Sequence, residues 1–167
     1  MTKEIDVIPI SEELIRSFHA CLDSVARERI YLGGVKARPL ETTREFVKSN
    51  IMNNIPQYVA VEGERVVGWC DIIPMKGIDF SHCGGLGMGV HKDYRGQGIG
   101  TRLLETTLEA SKEFGIERIE LEVYTSNTHA IRLYEKLGFV HEGVKTKARK
   151  LDGKYYDIKI MALFTNP

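Results

Sequence analysis

The segment Tyr94-Arg95-Gly96-Gln97-Gly98-Ile99-Gly100-Thr101 joins two contrasting stretches. Before it, Gly87-Met88-Gly89-Val90 reads as a strand. After it, Leu103-Leu104-Glu105-Thr106-Thr107-Leu108 opens an amphipathic helix. A glycine-rich turn from strand to helix presents several unpaired backbone N–H groups at the positive end of the helix dipole, which is a site for an anion. Glycines let the backbone approach phosphate oxygens closely and adopt φ > 0. The chemistry on offer is the holding of a phosphorylated cofactor near Gln97.

Spacing narrows the cofactor. A P-loop needs Gly-x-x-x-x-Gly-Lys-Ser/Thr, and here Gly100 is followed by Thr101-Arg102, with no lysine. A dinucleotide fingerprint needs Gly-x-Gly-x-x-Gly, whereas these glycines run Gly96-x-Gly98-x-Gly100. Arg95, Gly98 and Gly100 instead fit Arg/Gln-x-x-Gly-x-Gly/Ala. That pattern resembles the coenzyme A pyrophosphate loop of the GNAT superfamily of acyl-CoA-dependent N-acetyltransferases. Downstream, Asn127-Thr128-His129-Ala130-Ile131-Arg132-Leu133-Tyr134-Glu135-Lys136-Leu137-Gly138-Phe139 is similar to the superfamily's Asn-x-x-Ala-Ile-x-Leu-Tyr-x-Lys-x-Gly-Phe signature. The resemblance covers roughly residues 55 to 163.

The resemblance implies an enzyme that moves the acetyl group of acetyl-CoA to a primary amine by direct attack. It implies that Arg95, Gly96, Gln97, Gly98, Ile99, Gly100 and Thr101 cradle the pyrophosphate through their backbones. The strand Met88-Gly89-Val90 would pair its backbone with the pantetheine arm and offer an N–H to the oxyanion. Asn127 would contact coenzyme A as well as capping a helix. Tyr134 would protonate the departing thiolate. A thiol ionises near ~8.5 and tyrosine near ~10, so its O–H suits that step. The base that takes the amine's proton stays open, with Glu122 ranked ahead of Asp71, and His91 and Glu120 also in reach of consideration. Acceptor contacts are expected from Glu28, Arg29, Tyr31, Trp69 and the final hairpin. The tail from His141 to Leu163 resembles small-amine, amino-acid and phosphinothricin-type acetyltransferases, and also acetylases of protein N-termini. An acetylase of protein N-termini or lysines is the alternative within catalysis, and a non-catalytic sensor of coenzyme A is the competing class.

The elements that must carry these residues read as follows. Val7 to Ile10 forms a first strand, and Pro9 favours an edge. Ser11 is a candidate N-cap for a helix bearing Leu14, Ile15, Phe18, Leu22 and Val25 at helical spacing. Gly33, Gly34 and Pro39 mark a loop, and Thr42 with Glu45 spells a capping box for a second helix. Tyr58–Val61 and Val66–Cys70 form a hairpin around Gly63. A third helix ends at Gly115. Ile119, Leu121 and Val123 alternate as a buried strand, and a fourth helix runs to Gly138. Val144–Arg149 and Tyr155–Leu163 flank Asp152-Gly153, a two-residue hairpin signal. The order β-αα-βββ-α-β-α-ββ predicts an α/β fold with a mixed sheet and helices on both faces. The resemblance adds a splay between the fourth and fifth strands where the cofactor lies.

At 167 residues, 43% hydrophobic and 28% charged, the chain 1–167 reads as a single N-acetyltransferase domain of ordinary globular balance. Lys and Arg number 23, as do Asp and Glu, so there is no basic excess to draw nucleic acid. A net charge of zero is compatible with self-association, a homodimer being the commonest outcome. Cys21, Cys70 and Cys83 have neither metal nor disulfide spacing, so no metal is expected. Without an apolar leader at Met1-Thr2-Lys3-Glu4-Ile5-Asp6 or a membrane-length span, the expected location is the cytoplasm.

Overall fold

A computed structural model of the chain describes residues 4–166. Met1-Thr2-Lys3, read above as free of a leader, lies outside them. The strands are β1 (Asp6–Pro9), β2 (Gln57–Glu62), β3 (Arg65–Pro74), β4 (Cys83–Val90), β5 (Arg118–Tyr124), β6 (Val140–Leu151) and β7 (Lys154–Phe164). The helices are α1 (Ile15–Ala26), α2 (Leu40–Met52), α3 (Ile99–Phe114) and α4 (Thr128–Lys136). This is the anticipated α/β order. The chain forms two compact units, one of residues up to Ile73 with Gly87–Gly115, the other of Pro74–Leu86 with Ile116 onward. The strand order is β1-β2-β3-β4 followed by β4-β5-β7-β6, with β4 divided between the units. Pairing is antiparallel for β1/β2, β2/β3, β5/β7 and β6/β7 and parallel for β4/β5, so the sheet is mixed.

In the first unit, helices cover both faces of the strands. Successive strand residues point to opposite faces. A Cβ on Gly68 would lie 3.0 Å from Leu103 of α3, whereas Trp69 meets Phe18 of α1 edge-on at 6.0 Å. The α1 face buries Ile15, Phe18, Cys21 and Val25 against Val59, Val61, Val66 and Trp69. Helix α3 buries Ile99, Leu103, Leu104, Thr107, Leu108 and Ser111, one stripe at helical spacing, and stops at Gly115 with φ 100°.

The second unit is built on β5, whose Ile119, Leu121 and Val123 are buried as the alternation predicts. Asp152 and Gly153, both at positive φ, turn the final hairpin. Strand β6 is an outer strand and is longer than expected. It has register breaks between His141 and Gly143 and between Lys145 and Arg149, with Lys147 at φ 53°.

Two helix starts differ from the sequence reading. Ser11 precedes a 3-10 turn, Glu12–Leu14, rather than α1, and makes no side-chain cap to the backbone. Helix α2 begins at Leu40 behind Pro39, so Thr42 lies inside the first turn and the Thr42/Glu45 box is not used. Proline pre-sets φ and demands no cap of its own N–H, which lets the helix open three residues earlier.

Candidate active site

The first unit holds Asp71, Met88, Gly89, Val90 and the loop from Arg95 to Thr101, and the second holds Glu122, Asn127 and Tyr134.

After β4, His91 caps a short 3-10 turn, Lys92–Tyr94, by accepting from the Asp93 N–H through Nδ1 at 3.3 Å. That contact makes His91 a local cap and occupies the nitrogen a base would use. Gly96 and Gly98 both sit at positive φ, 74° and 77°, and Gly98 is the N-cap of α3 without any side-chain cap. The first bond of the helix runs from Arg102 N–H to the Gly98 carbonyl at 3.1 Å. The N–H groups of Gly98, Ile99, Gly100 and Thr101 therefore precede the helical ladder and point out from its positive end. This donor set, in a turn that only glycine adopts without strain, fits a pyrophosphate.

The Arg95 side chain does something else. Its guanidinium makes a two-pronged bond to Glu28 at 2.6 and 2.8 Å, donates from Nε to the Val90 carbonyl at 2.9 Å, and lies 4.6 Å above the Tyr31 ring. Arg95 thus clamps the loop after α1 onto the end of β4. Glu28 and Tyr31, expected at the acceptor, spend their polar and aromatic groups on this clamp. Sequence reasoning missed it because 67 residues separate Glu28 from Arg95. The same loop is tied to α1 by Asp23, which accepts from the Ala37 N–H at 2.9 Å, and by His19, which bonds the Arg38 carbonyl at 2.8 Å.

Strand β4 alternates glycine with larger residues because β3 presses on it. A Cβ at Gly89 would enter the Trp69 indole, 2.7 Å from Cζ3, and one at Gly87 would fall 3.3 Å from Asp71 Oδ1. Trp69 is only 3% exposed and belongs to the core, which corrects its assignment as an acceptor contact. Asp71 follows it on the same face and is 8% exposed. Burial alone raises its carboxyl from the ordinary 3.8 to about 7. A carboxylate poised there can both take and release a proton at neutral pH.

In the second unit, Asn127 caps α4, its Oδ1 accepting from the Ala130 N–H at 3.3 Å. A further contact of Asn127 would fall to its NH2 group. Tyr134 is buried on α4 with its ring 5.6 Å from Phe139. Glu122 is 52% exposed and accepts from Lys145, and Glu120 pairs with Arg118 at 3.1 Å. Both are partnered carboxylates at the surface, whereas Asp71 is buried. Among the described residues no group of three or more His, Cys, Asp or Glu could hold a metal, and no helix is long and apolar enough to cross a membrane.

The sequence profile of the Acetyltransferase (GNAT) family matches residues 21–139. The chain is 32% identical over 109 residues to the L-amino acid N-acetyltransferase AaaT of Escherichia coli, covering 65% of this chain and 67% of that protein. It is 35% identical over 121 residues to an N-alpha-acetyltransferase of Saccharolobus solfataricus, covering 66% and 68%. The fold matches that of a GNAT superfamily phosphinothricin acetyltransferase from Sinorhizobium meliloti, solved in complex with AcCoA. The TM-score is 0.89 at 16% identity, over 96% of this chain and 88% of that one.

Proposed function

Because the chain belongs to the acetyltransferase (GNAT) family and is an acetyl-CoA-dependent N-acetyltransferase, we propose that its acceptor is the primary amine of a small molecule such as an amino acid. Asp71 is the base that frees that amine for direct attack. The observation that carries the reading is Asp71 itself, a buried carboxyl raised to about 7 and set against the β4 backbone at Gly87. An amine arrives protonated and cannot attack until its proton leaves, and a group that titrates near neutrality can take it.

Bound acetyl-CoA supplies an activated acyl carbon. Every other requirement falls to the chain. The N–H groups from Gly98 to Thr101, with Arg95, Gly96 and Gln97 shaping the turn, would hold the pyrophosphate at the α3 N-terminus. The backbones of Met88, Gly89 and Val90 would take the pantetheine arm as an added strand, and one N–H there would face the oxyanion. Such a donor is typically worth about 3 kcal/mol of barrier. Tyr134 would hand its phenolic proton to the thiolate, and the Asn127 NH2 group would contact the cofactor.

Direct transfer is favoured over an acyl-cysteine route. Cys21, Cys70 and Cys83 are free and buried, and burial pushes the Cys21 thiol up to about 12 and the Cys70 thiol higher still. Thiolates are scarce under those conditions. Three reduced cysteines also suit the cytoplasm. The amino-acid reading draws support from the likeness to the L-amino acid enzyme, and the likeness to the N-alpha-acetyltransferase favours a second acceptor, a protein N-terminus.

Free-thiol release from acetyl-CoA, measured against amino acids, simple amines and short peptides, decides between them. Turnover with amino acids and not with peptides is the expected result. Turnover with peptides alone overturns the small-molecule reading, and binding of acetyl-CoA with no turnover on any amine makes the chain a sensor.

A further inference from the structure

The connection between α1 and α2, residues 27–39, has no regular structure of its own. Connections longer than about 12 residues are uncommon in compact domains and usually carry function. Ties of two kinds order this one. At its far end the Ala37 N–H bonds Asp23 and the Arg38 carbonyl bonds His19. Both partners belong to α1, so these bonds fix the connection to its own helix. At its near end Glu28 and Tyr31 hold the guanidinium of Arg95, which also donates to the Val90 carbonyl. That second tie sets the connection against the end of β4.

The backbone is bent to make it. The last turn of α1 runs on through bonds from the Glu28 N–H to Val25 and from the Arg29 N–H to Ala26, 3.2 and 3.0 Å. Arg29 then takes the left-handed conformation, φ 66°, where helices usually place glycine. Glu28 lies before this reversal and Tyr31 after it, and they meet one guanidinium at its edge and at its face. All three guanidinium nitrogens are thereby engaged inside the protein, which leaves a pyrophosphate to the backbone N–H groups of the loop. Lysine would supply the charge but neither the fork nor the stacking plane. Tyr31 and Leu32 seat the connection on the core, while Ile30 and Val35 stay exposed on it. We propose that the Arg95–Glu28–Tyr31 clamp holds the connection 27–39 as a wall of the acceptor site beside the reacting end of β4, Glu28 being a positioning residue that does not touch the acceptor. This rests on the chain acetylating an amine, and it applies to a small amine or a peptide alike.

The Arg95 and Glu28 side chains are only 30% and 23% exposed. Removing one partner of a desolvated ion pair leaves the other charge uncompensated, so the two groups stand or fall as a unit. With the clamp open, the connection keeps its bonds to α1 and loses its register against β4. An acceptor held by a displaced wall binds less well, and one that does bind still meets the same reacting groups. The loss therefore belongs in the acceptor's KM and not in kcat.

The test uses the full chain with the fastest acceptor of the panel above, whatever its class. Glu28→Gln keeps the shape and removes the charge. It should raise the acceptor's KM by about tenfold or more, change kcat by less than about threefold, and leave the Kd of acetyl-CoA within about twofold. Glu28→Asp, which keeps the charge, should recover part of that KM. Arg95→Lys should raise the acceptor's KM in the same way, and it carries the test should Glu28→Gln fold poorly. The double variant should be no worse than the worse single one, as expected of two groups that act as a unit. Effects that multiply would mean that Glu28 meets the acceptor by itself, which overturns the clamp. A lower melting temperature with KM unchanged makes the pair merely structural and also overturns it. So does a weaker Kd of acetyl-CoA with the acceptor's KM unchanged, since the pair would then serve the cofactor. A panel led by a peptide refutes the small-molecule reading and leaves the clamp to be judged on the peptide's KM; a panel with no turnover refutes both.

Discussion

Replacing Asp71 by asparagine should make the protein more stable and less active at once. The carboxyl is buried and titrates at about 7 instead of 3.8. In the window between those values the folded chain binds a proton that the unfolded chain has released, so stability falls as pH rises through it. Below about pH 4 both states are protonated and the group costs nothing. Above about 7 the full difference applies, and at about 1.4 kcal/mol per pH unit it amounts to roughly 4 kcal/mol as an upper bound. The asparagine amide carries no charge at any pH and avoids this cost. Denaturant unfolding at pH 8 should show Asp71→Asn more stable than the native chain by a few kcal/mol, with the gap closing towards pH 4. Activity runs the other way. The base is competent only when ionised, so native kcat/KM should fall as pH drops through about 7. The variant should lose about 10²- to 10⁴-fold at pH 8 and show no such limb. Equal stability of the two proteins at pH 8 would refute the burial argument. A native-like pH limb in the variant would refute the assignment of the base.

Gly89→Ala should destabilise the fold by about 3 kcal/mol or more in thermal melts, since its methyl would enter the Trp69 ring and the ring is held by Phe18; adding Trp69→Leu should restore much of the loss. Gly98→Ala meets no neighbouring atom but sits at φ 77°, so it should cost only about 1–2 kcal/mol of stability while calorimetry shows acetyl-CoA binding sharply weakened. Tyr134→Phe keeps the packing on Phe139 and should lower kcat for thiol release by about 10²–10⁴-fold with little change in acetyl-CoA affinity. Glu122→Gln removes one side of an exposed pair with Lys145 and should shift stability by no more than about 1 kcal/mol and leave kcat unchanged.

The element order and the α/β fold were legible because their signals are local. The α3 stripe, the alternation of Ile119, Leu121 and Val123, and Asp152-Gly153 each act within a few residues. The early helix starts were not, because Pro39 competed with a stronger-looking Thr42/Glu45 box and opened the helix first. At the candidate site the loop's glycines were readable from the backbone geometry they serve. Asp71 is nameable from the sequence but ranks behind Glu122 there. A carboxylate after Trp69-Cys70 reads the same whether its face is wet or dry, and its neighbours there, Gln57 opposite it on β2 and Gly87 beside it on β4, come from other strands. Glu28 with Arg95 and Asn50 with Gln57 are partnerships that no spacing rule announces.

The outer strands bear on how this protein keeps to itself. With 23 basic and 23 acidic residues it has little overall charge to hold copies apart. Unpaired strand edges are where copies join into sheets, so the guard must be local. In the first unit, β1 is four residues long and ends in Pro9, which has no N–H to offer. In the second, β6 is twelve residues long and exposed, a far better template, and it carries Lys145, Lys147, Arg149 and Lys150 across a broken register. Two such edges laid antiparallel would set lysine against lysine while the irregular stretch denies them a straight ladder. Assembly of this chain, in whatever number, is thereby steered away from strand-to-strand growth and towards contacts made by side chains.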